Sequence, residues 1–460
     1  MRDRLKKSGV ELMDSAPVGS AIIRLAVPMI IAMLAQSIYS MTDMFFIGKT
    51  GDPNMVAAVA LANPLFMLSQ AMGNIFATGG SNYISRMLGA KKSDEAKRAS
   101  AVSLYSAFIA GILITVVLLC FKMPVLRIIG AKDSTFSHTN SYFSVVALFM
   151  SFATAGAVMS GQMRSEGETG KAMTLQIIGI VVNIALDPVF IIMLNLGTAG
   201  AAWATIAGQV AAFIYGMRYF LSKTAILSIR PADCKPNRAM IAQILAIGVP
   251  AGISNIIMSV SQILGNRILA GYGDYVVAGS GVHMRVTFTF FTLIMALTMG
   301  YQPFAGYNYG AKQFDRLRKG FKITLLYTTV LSIAGCIVLR LFGPSFIRFF
   351  IDDADTVEAG TAIIRVFAIG LPFIGAQMTL MVSFQAFGKP LQATIITMGR
   401  QLLFYLPLMF LLTYLFGFEG YVWAQPSADI LTTGIAFALG IPLIKHIRGE
   451  NRYGDKSREA

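Results

Sequence analysis

Asp187 sits where a carboxylate is costly, in the stretch Asn183-Ile184-Ala185-Leu186-Asp187-Pro188, inside an apolar run from about Ala172 to Leu196. Asn183 and Asp187 are four residues apart, so a helix presents both on one face. A charge at the centre of a bilayer costs at least about 2.5–3.5 kcal/mol, and Asp187 is therefore expected to face a wet cavity and a partner. Pro188 follows directly and weakens the helix at that level. A second carboxylate, Asp43, closes another apolar run, with Tyr39 four residues earlier and Gln36 seven earlier on the same helical stripe. The Tyr39 hydroxyl can donate to that carboxylate. The chemistry open to such residues is uptake and release of a proton or cation, with movement linked to the change of charge.

Composition says what holds these residues in place. Of 460 residues, 55% are hydrophobic and only 13% charged, where a soluble chain carries about 25% charged residues. The apolar residues come in runs of about 20 or more, the length that crosses a bilayer as a helix. A membrane barrel would show short alternating segments instead. The formal charge of +15 lies in short loops between apolar runs, as the positive-inside rule expects, so no nucleic-acid partner is expected. Cys120, Cys234 and Cys336 are scattered without a CxxC spacing and read as inert fillers. Met1 to Val10 is charged and lacks a small-residue cleavage site, so no signal peptide is expected.

Twelve spans are expected, at about 21–47, 54–80, 99–122, 138–162, 172–195, 198–221, 241–271, 277–304, 320–342, 358–386, 392–416 and 419–443. Lysines and arginines concentrate in alternate connections, among them Lys91, Lys92, Lys97 and Arg98, and Lys312, Arg316, Arg318, Lys319 and Lys322. That bias places both termini in the cytoplasm and the chain in the plasma (inner) membrane. The longest polar connection, 222–240, separates an N-terminal lobe (1–221, spans 1–6) from a C-terminal lobe (241–460, spans 7–12) with a basic cytoplasmic tail. The halves resemble each other: Leu25-Ala26-Val27-Pro28 matches Ile247-Gly248-Val249-Pro250, and Leu88-Gly89-Ala90-Lys91 matches Tyr309-Gly310-Ala311-Lys312, at a spacing near 222 residues. An even number of spans in each half makes these parallel repeats about an axis along the membrane normal.

Pro303-Phe304-Ala305-Gly306-Tyr307-Asn308-Tyr309-Gly310-Ala311-Lys312 after span 8 resembles the signature of MATE (multidrug and toxin extrusion) transporters. Tyr39-Ser40-Met41-Thr42-Asp43 and Arg164-Ser165-Glu166-Gly167 resemble the same family, and Asn183 with Asp187 in span 5 resembles its DinF-like branch. The NorM-like branch is known for carboxylates in spans 7 and 10; here span 7 has no acid before Asp274, and span 10 has none after Glu358. The resemblance implies an all-α polytopic membrane protein, with twelve transmembrane helices in two six-helix bundles related by a pseudo-two-fold axis. It implies a central cavity and export of amphipathic, mostly cationic drugs or toxic compounds by alternating access, coupled to H⁺ or Na⁺. Tyr39, Asp43, Asn183, Asp187 and Thr205 match the family's N-lobe cation site, and Pro28 its span 1 hinge. Related sequences often place an asparagine near the end of span 4, where this chain reads Ser160-Gly161-Gln162. That departure leaves the ligand set, and the choice of Na⁺ or H⁺, open.

The residues permit both ions. Two close carboxylates raise one pKa and can share a proton, whereas carboxylates with the Asn183 and Thr205 oxygens form a hard-oxygen site for an alkali cation. Beyond that possible Na⁺ no metal or cofactor is expected, and there is no nucleophilic triad or phosphate loop of an enzyme. Asn63, Gln70 and Asn74 lie on one face of span 2 and, with Gln36, are weaker candidates for the substrate cavity. In the second half, Asp429 is expected to pair with one of Arg267, Arg285, Arg365 or Arg400, a structural ion pair ahead of a second transport site. His283 reads as a core imidazole or a polar cavity wall. The expected partners are small amphipathic molecules and the bilayer, for a protein working as a monomer. A flippase for lipids or lipid-linked sugars is the alternative; it predicts a strongly cationic cavity, where this stripe is acidic and amidic.

Overall fold

A computed structural model describes residues 8–456 except 51, 131, 132 and 352. The side chains of residues 8, 40, 41, 43, 44, 48, 53, 60, 63, 133 and 134, and of all residues from 443 onward, also lie outside what is described. Two expected site residues, Asp43 and Asn63, are among these.

Among the described residues the regular elements are all helices, joined by turns and short irregular connections. Ten helical stretches are long and apolar enough to cross a membrane, and Thr135–Leu148 with Met150–Ser165, bent by 49°, makes one more broken span. Pro390–Pro442 runs for 53 residues, about 80 Å at 1.5 Å per residue, far beyond a hydrocarbon core of about 30 Å. Gly417 breaks it at φ 61° and ψ −137°, a conformation that favours glycine. It therefore holds spans 11 and 12, and the expected twelve are present among the described residues. Several helices outrun their apolar runs: span 9 is helical over Phe314–Phe350 although only about 320–342 is apolar. Hydropathy marks the part in lipid, while the backbone keeps its hydrogen bonds by staying helical into water.

The internal repeat is written into the backbone. Span 2 ends at Gly89 with Lys91 at φ 60°, and span 8 ends at Gly310 with Lys312 at φ 56°. Lys92 N–H then bonds Met87 O, and Gln313 N–H bonds Asn308 O, both at 2.9 Å. The ends of spans 4 and 10 repeat the turn with Gly167 and Gly388, at φ 79° and 69°, and bonds from Glu168 N–H to Met163 O and from Lys389 N–H to Phe384 O. These are Schellman caps, in which a left-handed residue lets the next N–H reach back to an orphan carbonyl. In each pair the second cap falls 221 residues after the first.

The chain forms two compact units. One contains Met1–Ser15 and Val27–Asn255, the other Ala16–Ala26 and Ile256–Ala460. Span 1 (Val18–Gly48) and span 7 (Arg238–Ala270) are thus each divided between units, at points close to Pro28 and Pro250. In the first unit, Gly248 of span 7 lies so close to Ile75 of span 2 that a Cβ would strike its carbonyl. In the second, Gly300 of span 8 lies against Ala26 of span 1, where a Cβ would come within 2.5 Å of the Ala26 Cα. Small residues at such crossings let membrane helices approach closely, where the hydrophobic effect between helices is absent. Leu65, Leu126, Tyr142, Phe143 and Ile191 centre an apolar cluster in the first unit, and Ile294, Leu339, Ile364, Leu371 and Ile374 one in the second.

Candidate functional site: the seam between spans 5 and 6

Span 5 is α-helical over Thr169–Asp187 and continues as a π-helical turn over Pro188–Met193. Pro188 has no N–H, and its ring crowds the carbonyl four residues earlier, so the α-ladder cannot continue. The turn closes with an i→i+5 bond, Leu194 N–H to Val189 O at 2.9 Å. The weakness expected at Pro188 is therefore real and sits directly beyond Asp187.

Span 6, Gly197–Leu221, lies close along this broken helix because glycine lines the contact. A Cβ on Gly208 would strike the Gly179 carbonyl and come within 3.3 Å of the Asn183 Cβ; one on Gly200 would come within 2.7 Å of the Phe190 carbonyl carbon. One turn before Gly208, Thr205 is thereby brought to Asn183. Asn183 Nδ2 donates to Thr205 Oγ1 at 3.4 Å, and the Tyr39 hydroxyl of span 1 lies 3.5 Å from the same atom. Both distances are at the long end for hydrogen bonds, so Thr205 is the hub of a loose cluster. Asn183, Asp187 and Thr205 are all buried, Asp187 at 0% exposure. Asn183 Oδ1 is buried without a hydrogen-bond partner among the described residues.

Amide, hydroxyl and carboxylate oxygens are the donors a hard cation takes, and equally a proton-accepting set. The structure brings Tyr39, Asn183 and Thr205 together, and places Asp187 one turn from Asn183 on the same helix. Asp43, the expected second carboxylate, is a residue of span 1 whose side chain lies outside the described residues. Of the weaker cavity candidates, Gln36 and Gln70 are exposed and Asn74 is half-buried, while the Asn63 side chain lies outside the described residues. Ser160 and Gln162, at the departure near the end of span 4, are engaged elsewhere. Ser160 Oγ accepts from Arg164 and Gln176, and Gln162 Nε2 donates to Ser100 O at 2.8 Å.

The seam yields a prediction. Gly208→Val should cost about 1–3 kcal/mol, the usual penalty for overpacking, and should part Thr205 from Asn183. Gly156, whose Cβ would meet nothing within 4 Å, is the control: Gly156→Ala should be neutral or stabilise by up to about 1 kcal/mol. Thermal unfolding of the two purified variants compares them, and equal losses would contradict this packing.

Reasoning from local pattern missed the buried carboxylate of Glu166, at the end of span 4. It is 1% exposed and accepts from Tyr219 Oη at 2.5 Å, Ile226 N–H at 2.8 Å and Leu227 N–H at 2.5 Å. It thus ties the start of the 222–240 connection to the 4–5 turn. Its partners lie 53 to 61 residues further on, beyond any local pattern. Burial pushes the carboxyl up to about 7, against the pull of its three donors. A carboxyl raised above its unfolded value near 4.3 holds its extra proton in the folded state. The attachment should accordingly be strongest in acid and weaken as pH rises through about 7. Amide exchange of Ile226 and Leu227, corrected for intrinsic rates, should lose about tenfold protection from pH 6 to 8 and stay flat in Glu166→Gln. Protection that rises with pH would refute this assignment.

In the second unit the expected ion pair forms. Arg400 Nε donates to Asp429 Oδ1 at 2.7 Å, and Gln425 Nε2 to the same oxygen at 3.2 Å. The guanidinium also lies over the Phe291 ring at 5.6 Å. Arg267, Arg285 and Arg365 are exposed instead. Arg400 lies in a second π-helical turn, Gly399–Tyr405 of span 11. Arg400 and Asp429 stand 221 residues after Gly179 and Gly208 respectively. Where the first half packs glycine on glycine, the second half carries the ion pair. His283 is buried, with Nδ1 3.2 Å from Thr287 Oγ1 and its ring 4.7 Å from that of Phe367, as a core imidazole.

The sequence model of the MatE family matches this chain twice, over residues 28–189 and 250–411, so the two matches begin at the two span prolines. Multidrug export protein MepA of Staphylococcus aureus (strain MSSA476) is 30% identical over 93% of this chain and 94% of its own length. MepA of Staphylococcus haemolyticus (strain JCSC1435) is 29% identical over 92% and 93%. Among solved structures, an outward-facing multidrug resistance MATE family transporter of the MOP superfamily superposes with a TM-score of 0.89 at 25% identity. It covers 96% of this chain, which covers 99% of it. A MOP superfamily transporter from Pyrococcus furiosus, at 24% identity and a TM-score of 0.89 over the same shares, has the same fold.

Proposed function

Since the chain belongs to the MatE family of multidrug efflux transporters, we propose that it is a cation-coupled antiporter that exports amphipathic, mostly cationic compounds by alternating access. The observation that supports the reading best is the Asn183–Thr205–Tyr39 cluster, with Asn183 and Thr205 buried, one turn from Asp187 and beside a π-helical turn. In this reading H⁺ or Na⁺ enters the seam and is held by Asp187, with Asp43 as the second carboxylate and the Asn183 and Thr205 oxygens completing the shell. A proton fits the paired carboxylates; Na⁺ fits the full oxygen set, including the free Asn183 Oδ1. Either ion removes the cost of the buried charge.

That neutralisation has a mechanical consequence if span 1 can bend. Pro28 lies inside span 1, two residues beyond the point where the helix passes from one compact unit to the other. A proline lacks the N–H that would hold the helix straight and is the commonest cause of a sharp kink. Proteins of this fold have been solved in a bent and in a straight conformation. Ion uptake bends span 1 at Pro28, the bend expels the bound compound, and the emptied protein returns to face the cytoplasm. Gln36, Gln70 and Asn74 present polar groups to the cargo along spans 1 and 2. The lobes are 1–221 and 241–460, both termini are cytoplasmic in the plasma membrane, and one chain suffices.

The test is accumulation of a fluorescent cationic dye in cells with and without the chain. Export predicts lower dye accumulation in cells that carry it. Equal accumulation and unchanged dye tolerance would contradict export and fit the lipid flippase.

A further inference from the structure

We infer that the second unit holds an anionic phospholipid by its phosphate head group, between the start of span 1 and the start of span 9. A cavity of about 480 Å³ opens there, lined by Pro17, Val18, Gly19, Arg316, Lys319, Lys322 and Ile323. Three of these residues are cationic, none is acidic, and neither lysine has an ion-pair partner among the described residues.

Arg316 is held in place beforehand. Its Nη2 donates to Ala16 O at 2.8 Å, its Nε to Asn308 Oδ1 at 3.3 Å, and its guanidinium lies 5.7 Å from the centre of the Phe304 ring. Lys319 and Lys322 are exposed, each a compact ammonium charge on a four-carbon stem with rotatable bonds. Val18 and Phe314 are the first residues of their helices, so two helix N-termini add their partial positive charge to the same place. Three cationic and no acidic side chains line the cavity, an arrangement that suits a phosphate, while Asp315 stands outside the lining in the first turn of the same helix.

Depth decides in favour of a lipid over a soluble phosphate. The cavity sits where span 1 begins and where the apolar part of span 9 begins, the level of lipid head groups. Further along the same helices, Ile23, Leu326 and Val330 are exposed at 44%, 59% and 56%, an apolar surface for acyl chains. Basic pockets between helix ends are a recurrent form of lipid head-group recognition. The site shares no residue with the seam between spans 5 and 6, so it stands or falls independently of the export mechanism.

The experiment titrates delipidated full-length protein in neutral detergent with dioleoyl phosphatidylglycerol, dioleoyl phosphatidylcholine and glycerol phosphate, reading the rise in Tm. Phosphatidylglycerol should stabilise at lower concentration than phosphatidylcholine, and glycerol phosphate should not stabilise. Lys319→Gln/Lys322→Gln should weaken the phosphatidylglycerol response by about tenfold or more while the lipid-free Tm stays at the wild-type value. Lys319→Arg/Lys322→Arg should retain the response, which separates lost charge from damaged packing. Equal responses to the two lipids, or an unchanged response in the glutamine variant, would overturn the site. Stabilisation by glycerol phosphate as strong as by phosphatidylglycerol would overturn its assignment to a lipid.

Discussion

Asp187→Asn should leave the protein folded and lower export of a cationic dye by about a hundredfold or more. The substitution keeps shape and hydrogen-bonding reach and removes a buried charge, so insertion and packing become easier. What it removes, in the proposed mechanism, is the acceptor of the coupling ion. Contacts to a charged group contribute about 1.5–3 kcal/mol each, and about 2.8 kcal/mol corresponds to a hundredfold in affinity. Asp43→Asn should have the same effect, because in the proposed mechanism the two carboxylates act on one ion. Asn183→Ala and Thr205→Val should weaken export less, since each removes one neutral oxygen of the shell. Dye efflux from cells with matched expression measures all four. Unchanged efflux in both aspartate variants would remove the seam from the mechanism.

Arg400→Ala should be the most destabilising single change in the second unit, by about 3–5 kcal/mol, because it leaves a buried carboxylate without its cation. Asp429 is 1% exposed, and its Oδ2 has no hydrogen-bond partner among the described residues, so little else offsets the charge. Gly370 borders the same carboxylate, and a Cβ there would come within 3.1 Å of Oδ2. Arg400→Met with Asp429→Leu should recover most of the loss, since a buried ion pair replaced by apolar groups of similar volume is often neutral. Thermal unfolding in detergent tests the cycle. Full export by the folded double variant would fit a structural pair; lost export from a folded variant would give the pair a part in transport.

This ion pair bears on why the proposed coupling site is one-sided. Asp429 already has Arg400 as its counter-ion, so no exchangeable cation is called for there. At the corresponding place the first half has Gly179 against Gly208, and that close contact brings Thr205 of span 6 to Asn183 of span 5.

Much of this was readable from the sequence because a membrane makes simple demands. Long apolar runs had to be helices, since only helices and closed barrels satisfy the backbone in lipid. Asp429 had to find a cation, and Pro188 had to disturb its helix. The residue-level partners were less accessible. Four arginines could have met Asp429, and only the fold selects Arg400. The division of span 4 near Phe149 has no proline or glycine to announce it, and the role of Glu166 depends on amides from a distant connection. The compact units also divide spans 1 and 7 internally, a division that no polar connection marks.

The central claim is that an ion entering at Asp187 drives export. Reconstituted protein in liposomes, with Na⁺ and pH gradients imposed separately and dye movement recorded, tests it most directly. The account predicts that at least one gradient drives dye transport, and that Asp187→Asn abolishes the driven component. Transport that persists unchanged with both gradients collapsed, or that either gradient still drives in Asp187→Asn, would contradict it.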